Sequence, residues 1–220
     1  MPPSRLKGTP GTVEQDKRRP VLGLVLTPGA GASSDHSALV AVDQAVSEAG
    51  VRVSRIDFPY RLAGRKAPDR PEVLIRTVVE AADALAKELD VPMDQVAVGG
   101  RSMGGRMCSM AVSQGLEAGG LLLISYPLHP PGKPENLRIA HFLGLHLPCL
   151  FISGTRDAFA KPDELESATA HIPGVVTHAW LDGGDHGLKR KDQDVADKAA
   201  AWLRNLVAEA DEGADRRAGR

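Results

Sequence analysis

An α/β domain with a mostly parallel sheet is the fold class this sequence predicts, and three observations predict it. Six short apolar runs alternate with longer stretches of helical period. Most of those runs are nearly continuous in Val, Ile, Leu and Ala, as strands covered on both faces must be. At 220 residues the chain can build one sizeable domain and is too short for two ordinary ones. Alternation of this kind implies helices on both faces of the sheet.

The elements follow in order. Strands are expected over residues 21–26, 51–58, 95–98, 121–125, 149–153 and 175–181. Helices are expected over 72–89, where Leu74, Val78, Ala81, Leu85 and Leu89 form one stripe, and over 192–208, where Val195, Ala199, Trp202, Leu203 and Leu206 do the same. A third helix, over 107–115, follows the third strand. Residues 1–20, with four prolines and five basic side chains but no apolar core behind the charges, read as a flexible segment rather than a signal peptide. Residues 21–208 form the domain, and the charged stretch 209–220 reads as a disordered tail.

Composition removes several function classes. The 28 acidic and 27 basic residues leave a net charge of −1, and Phe 4, Trp 2 and Tyr 2 offer few rings for base stacking, so no nucleic acid partner is expected. No apolar stretch is long enough for a membrane span, and a cytoplasmic protein with no membrane partner is expected. Cys108 and Cys149 lack metal-site or CxxC spacing and read as buried, reduced thiols; no metal site is expected.

In open parallel sheets ligands bind beyond the carboxyl ends of the strands, so the loops there are where chemistry belongs. After the third strand comes Gly99-Gly100-Arg101-Ser102-Met103-Gly104-Gly105-Arg106. Gly100-x-Ser102-x-Gly104 is a G-x-S-x-G pattern in the strand–turn–helix context of a nucleophile elbow. A serine on so sharp a turn leaves room only for very small residues two positions either side. Its hydroxyl also meets the positive end of the following helix. The alternative reading is a Gly-rich phosphate or packing turn.

An acid and a histidine follow on later loops. Asp157 lies in Gly154-Thr155-Arg156-Asp157 after the fifth strand, and His186 in Asp182-Gly183-Gly184-Asp185-His186 after the sixth. The chain order Ser, Asp, His is the one this constellation takes on such a sheet. Asp185 and, less well, Asp182 compete for the role of acid; adjacent side chains reach poorly around to a histidine Nδ1, so Asp157 is preferred. After the first strand, Pro28-Gly29-Ala30-Gly31 can turn an N–H toward the serine, and Ala30 and Met103 are the expected oxyanion donors.

With these residues assembled the chain resembles the α/β-hydrolase superfamily, near the dienelactone-hydrolase-like enzymes, over roughly residues 20 to 207. Gly29-Ala30-Gly31, Phe58-Pro59-Tyr60-Arg61, the stretch from Gly100 to Arg106, Tyr126-Pro127-Leu128 and Gly184-Asp185-His186 are similar to the small branch that contains testis-expressed protein 30 and the third subunit of the non-specific-lethal chromatin complex. The resemblance implies the α/β-hydrolase fold with little or no lid. Members often carry His before the oxyanion glycine, where this chain has Pro28, and residues 1–20 are too few for the usual opening antiparallel hairpin.

The expected function is therefore hydrolysis of a carboxylic ester, thioester or lactone by Ser102, His186 and Asp157 through an acyl-enzyme. That chemistry needs no cofactor. The expected partner is a small ester-type molecule, taken by a monomer or a homodimer. A polar, cationic rim from Arg101, Tyr60, Arg61, Tyr126 and His129 is expected to contact it, with Arg101 and Arg61 as loop clamps the alternative. Because a fold does not fix a function, a non-catalytic binding or assembly module is the rival class.

Overall fold

The structure, a computed structural model, describes residues 19–218. The expected flexible segment 1–20 therefore lies outside the described residues except for its last two. Six strands are present: β1 (Gly23–Thr27), β2 (Arg52–Arg55), β3 (Val96–Arg101), β4 (Gly120–Ile124), β5 (Cys149–Gly154) and β6 (Val176–Leu181). They lie in the order β2-β1-β3-β4-β5-β6, and every neighbouring pair is parallel. Parallel neighbours need crossovers. These are supplied by α1 (Ser37–Ser47), a short α2 (Pro59–Leu62), α3 (Pro71–Leu89), α4 (Met103–Ser113) and α5 (Pro162–Thr169), with α6 (Asp192–Ala218) closing the fold.

Side-chain alternation along the strands divides the core into two layers. Val25 of β1 and Val98 of β3 face α3 and α4, meeting Leu74, Val78, Leu85 and Met107. Leu24, Leu26 and Ala97 point the other way, onto Leu39 and Val42 of α1 and Val195, Ala199 and Leu203 of α6. Both faces of the central strands β1, β3, β4 and β5 are thus covered and those runs are largely apolar, while the edge strands β2 and β6 carry Arg52, Ser54, Arg55, Thr177 and His178.

Element boundaries differ from the expected ones where glycine and proline decide them. β3 continues through Gly99 and Gly100 to Arg101, since those glycines pair with Leu122 and Leu123 by backbone alone. β2 stops at Arg55; Phe58 caps α2, whose first residue is Pro59, and proline cannot extend a ladder. α6 runs on to Ala218, past residue 208, through a stretch rich in the good helix formers Ala, Glu and Arg. No described helix is long and apolar enough to cross a membrane.

The strand order reverses at β1, which has β2 on one side and β3 on the other. At that switch point the loops leaving β1 and β3 diverge to opposite faces and open a crevice. The two strands approach very closely here. A Cβ on Gly100 would collide with the side chain and carbonyl of Thr27, and one on Gly104 would lie 2.5 Å from Pro28 O and Thr27 Oγ1.

Two outcomes follow from this packing. Gly104→Ala should lower the urea midpoint by the equivalent of about 1–3 kcal/mol, the usual cost of overpacking, with an unchanged denaturant slope. Cys108 and Cys149 are free and buried, and burial pushes each thiol up to about 12. Neither should react with a disulfide reagent at pH 8 in the folded protein, and both should react once it is unfolded in guanidinium.

Candidate active site

Ser102 is the residue at which β3 becomes α4. Its backbone is forced to φ 50°, ψ −116°, a region that non-glycine residues rarely visit. The N–H of Ser102 donates to Ile124 O of β4 (2.8 Å), and the Arg106 N–H donates to Ser102 O (3.1 Å). The turn is thereby pinned from both sides, and the hydroxyl is left free to point out of the sheet.

That hydroxyl meets the histidine expected for it. Ser102 Oγ lies 2.8 Å from His186 Nε2, and His186 Nδ1 lies 2.8 and 3.0 Å from the two carboxylate oxygens of Asp157. A carboxylate can only accept, so Nδ1 carries the proton and Nε2 is left as the acceptor facing the serine. The Asp157 side chain is fully buried, while the His186 side chain keeps 19% of its surface exposed. The acid is also held from behind, where Phe159 N–H donates to Asp157 Oδ1 (2.8 Å).

The loops that carry the acid and the histidine touch backbone to backbone. A Cβ on Gly154 would strike the main chain of Gly184, and Arg156 N–H donates to Gly184 O (2.8 Å). The competing acids are occupied elsewhere. Asp185 Oδ1 accepts from Gly187 N–H (2.9 Å), as a turn residue does, and Asp182 accepts from the Thr155 hydroxyl (3.3 Å).

The loop after β1 also reaches the serine. A Cβ on Gly29 would sit 3.5 Å from the Cβ of Ser102. Ala30, one residue on, is exposed, and its N–H has no acceptor among the described residues. Met103 is the first residue of α4, so its N–H has no partner within the helix. Ala30 follows Gly29 and Met103 follows Ser102, so both amides belong to the two segments that meet at the serine. Pro28 interrupts neither.

Of the expected substrate rim, the structure corrects three members. Tyr60 and Tyr126 are 0% and 1% exposed and His129 is 4% exposed, so all three are core rather than rim. A ring on the loop beyond a strand gains about 1.5–3 kcal/mol by folding back over the sheet, more than it gains at the surface. Tyr126 Oη donates to Arg138 O (2.8 Å), and burial raises its phenol well above the ordinary range. His129 Nδ1–H donates to Pro130 O (2.9 Å) while Nε2 faces Glu164 (3.3 Å). Arg101 turns to the histidine loop, where Nη2 donates to His186 O (2.9 Å); burial lowers its pKa despite the nearby Asp157. It clamps the loop. Arg61 stays half-buried on α2 with no partner for its Nε.

One residue of the site carried no signal in the sequence. The Phe159 ring stacks on His186 with centroids 4.0 Å apart and planes inclined by 27°. A single Phe two residues beyond an acid reads as ordinary core, and only the fold brings it against the imidazole.

Comparisons with known proteins agree with this architecture. Residues 21–212 match the model of the alpha/beta hydrolase domain family. The chain is similar in structure to Est1E from Butyrivibrio proteoclasticus, with a TM-score of 0.66 and 16% identity over 89% of this chain and 91% of that one. A dienelactone hydrolase from Anabaena variabilis gives a TM-score of 0.67 at 20% identity, covering 85% of this chain and 88% of the other. An alpha-beta serine hydrolase homologue from Coxiella burnetii gives 0.69 at 13% identity, covering 86% and 88%. At such identities the likeness is one of fold. Since the family match spans nearly the whole described domain, the chain belongs to the alpha/beta hydrolase domain family.

Proposed function

We propose that this protein is a serine hydrolase that cleaves a carboxylic ester, thioester or lactone. The observation that carries the reading is the unbroken line of hydrogen bonds from Ser102 through His186 to the buried Asp157. His186 Nε2 takes the Ser102 proton as Oγ attacks the carbonyl, and Asp157 holds the imidazolium that forms. The face of Phe159 adds an attraction to that cation. The N–H groups of Ala30 and Met103 take the charge developing on the carbonyl oxygen. His186 returns its proton to the leaving group, and water then resolves the acyl-enzyme by the same steps.

The names of similar structures, an esterase-like set that includes a dienelactone hydrolase, support a small-molecule substrate. By its motifs, from Phe58 to Arg61 and from Gly100 to Arg106, the chain stands near the branch with testis-expressed protein 30. All three reacting positions being filled favours an enzyme over a binding module.

A fluorophosphonate probe should label the wild-type protein at Ser102 and fail to label Ser102→Ala. A folded wild-type protein that takes up no probe would sink the proposal and leave the binding-module reading. Asp157→Asn should lower kcat on p-nitrophenyl acetate by about 10³–10⁴-fold, as expected when the histidine loses its correct tautomer. Asp185→Asn should cost less than about tenfold, since that carboxylate serves only a turn; the reverse ranking would reassign the acid.

A further inference from the structure

His129 is a buried titratable group that the proposed chemistry leaves unused. It lies in Tyr126-Pro127-Leu128-His129-Pro130, on the loop after β4. Both of its ring nitrogens sit against acceptors. Nδ1 is 2.9 Å from Pro130 O, which also accepts from the Lys133 N–H (3.1 Å), and Nε2 is 3.3 Å from Glu164 Oε2 on α5. A carbonyl cannot donate. Glu164 is held below the usual carboxyl range, first by the Lys161 N–H, which donates to the same Oε2 (2.9 Å), and then by the His129 ring, so it too only accepts. A neutral imidazole has one N–H and one lone pair; it satisfies one of these neighbours and turns its lone pair on the other. The imidazolium, with two donors, satisfies both.

The charges around this ring come from three elements. Glu164 of α5 is the charged group bonded to it among the described residues. Lys161, the residue before α5, acts on Glu164. From the return of the loop itself Arg138 reaches Pro127 O at 3.5 Å, and Lys133 is exposed. On the acid loop Asp157 is engaged by His186. A cation held this far from water stands only with a carboxylate beside it, and Glu164 is that carboxylate.

His129 also grips the acid loop through its backbone. Its N–H donates to Phe159 O (3.1 Å). Phe159 is the residue whose N–H holds the Asp157 carboxylate and whose ring lies on His186. The other end of the same stretch is caught by the ring, through Glu164, whose Oε2 ties down Lys161. Residues 157–161 thus hang between two contacts made by one residue.

Resting on the serine-hydrolase reading above, we propose that the His129 imidazolium is a latch that positions Asp157 and Phe159 for the reaction, and that loss of its second proton releases the acid loop and slows turnover. His129 acts through the acid loop and not on the substrate, so it bears on kcat rather than KM. The direction with pH follows from the ring. While both nitrogens carry protons the latch is closed; as pH rises one proton leaves, and the contact to Pro130 O or to Glu164 turns repulsive. His186 gives the opposite dependence, since a general base works only once it has lost its proton. Turnover therefore rises with His186 and falls again with His129.

Two measurements on the whole protein test this. Nitrogen-15 NMR of the imidazole rings should find both His129 nitrogens protonated at about pH 5. In Glu164→Gln, which keeps an acceptor for the Lys161 N–H but removes the charge, that proton should leave at a pH lower by about one unit. The kcat profile on p-nitrophenyl acetate should carry a descending alkaline limb in the wild type, and in Glu164→Gln that limb should move down with the His129 signal. His129→Gln, whose amide does not titrate, should lose the limb and about tenfold in kcat, with KM within about twofold. A His129 ring with a single proton at about pH 5, a wild type with no descending limb, or a limb that stays in place while the His129 signal moves would overturn the latch. Any of these in a protein that a fluorophosphonate labels would leave the hydrolase reading intact. A doubly protonated His129 in a folded protein that takes up no probe would refute that reading alone, since the NMR measurement needs no turnover.

Discussion

Everything at this site depends on two main chains coming closer than side chains permit. At the switch point β1 meets both β3 and α4, with Thr27 and Pro28 against Gly100 of β3 and Gly104 of α4, and no residue with a Cβ can stand at either glycine without displacing β1. That contact seats the N-terminus of α4 against the loop after β1. It also sets Gly29, the residue before Ala30, against Ser102, whose helix begins at Met103. A second such approach, Gly154 against Gly184, does the same for the acid and the histidine. Three loops far apart in the chain converge because backbone touches backbone.

The unusual backbone of Ser102 is a cost of this arrangement, of order 1–3 kcal/mol. The surroundings hold it there through bonds to Ile124 and Arg106 and through the two hydrophobic layers on either face of the sheet. Arg101 contributes beyond the sheet: its grip on the His186 carbonyl fixes the histidine loop to the strand that carries the serine. Ser102 and His186 are thus tied to one another by atoms outside their own hydrogen bond.

The four central strands were legible because a strand buried on both faces has little choice of residue, whereas the edge strands β2 and β6 mix Arg52, Ser54, Thr177 and His178 among their apolar residues. That Asp157 rather than Asp185 would meet His186 Nδ1 was legible because a residue next to the histidine cannot reach its far nitrogen. The geometry agrees with that argument, and Asp185 caps a turn instead. The rim was not legible. A Tyr or His just beyond a strand has the same local sequence whether it lines a pocket or folds over the sheet, and burial decided the second for Tyr60, Tyr126 and His129. Phe159 was missed for a related reason: it acquires its meaning from a neighbour distant in sequence, His186.

The parallel pairing of β1 with β3 has a consequence for how the molecule comes into being. Gly23 pairs with Val96 and Thr27 with Gly100, so this ladder can close only after α1, β2, α2 and α3 have been made and folded aside. Contacts between such distant partners pay their loop entropy before they return any stability, and they form late. The seat of the serine lies in that ladder. A nascent or partly folded chain therefore has helices and strands but no strained serine, and the hydrogen-bonded line from Ser102 to Asp157 exists only in molecules that have finished folding.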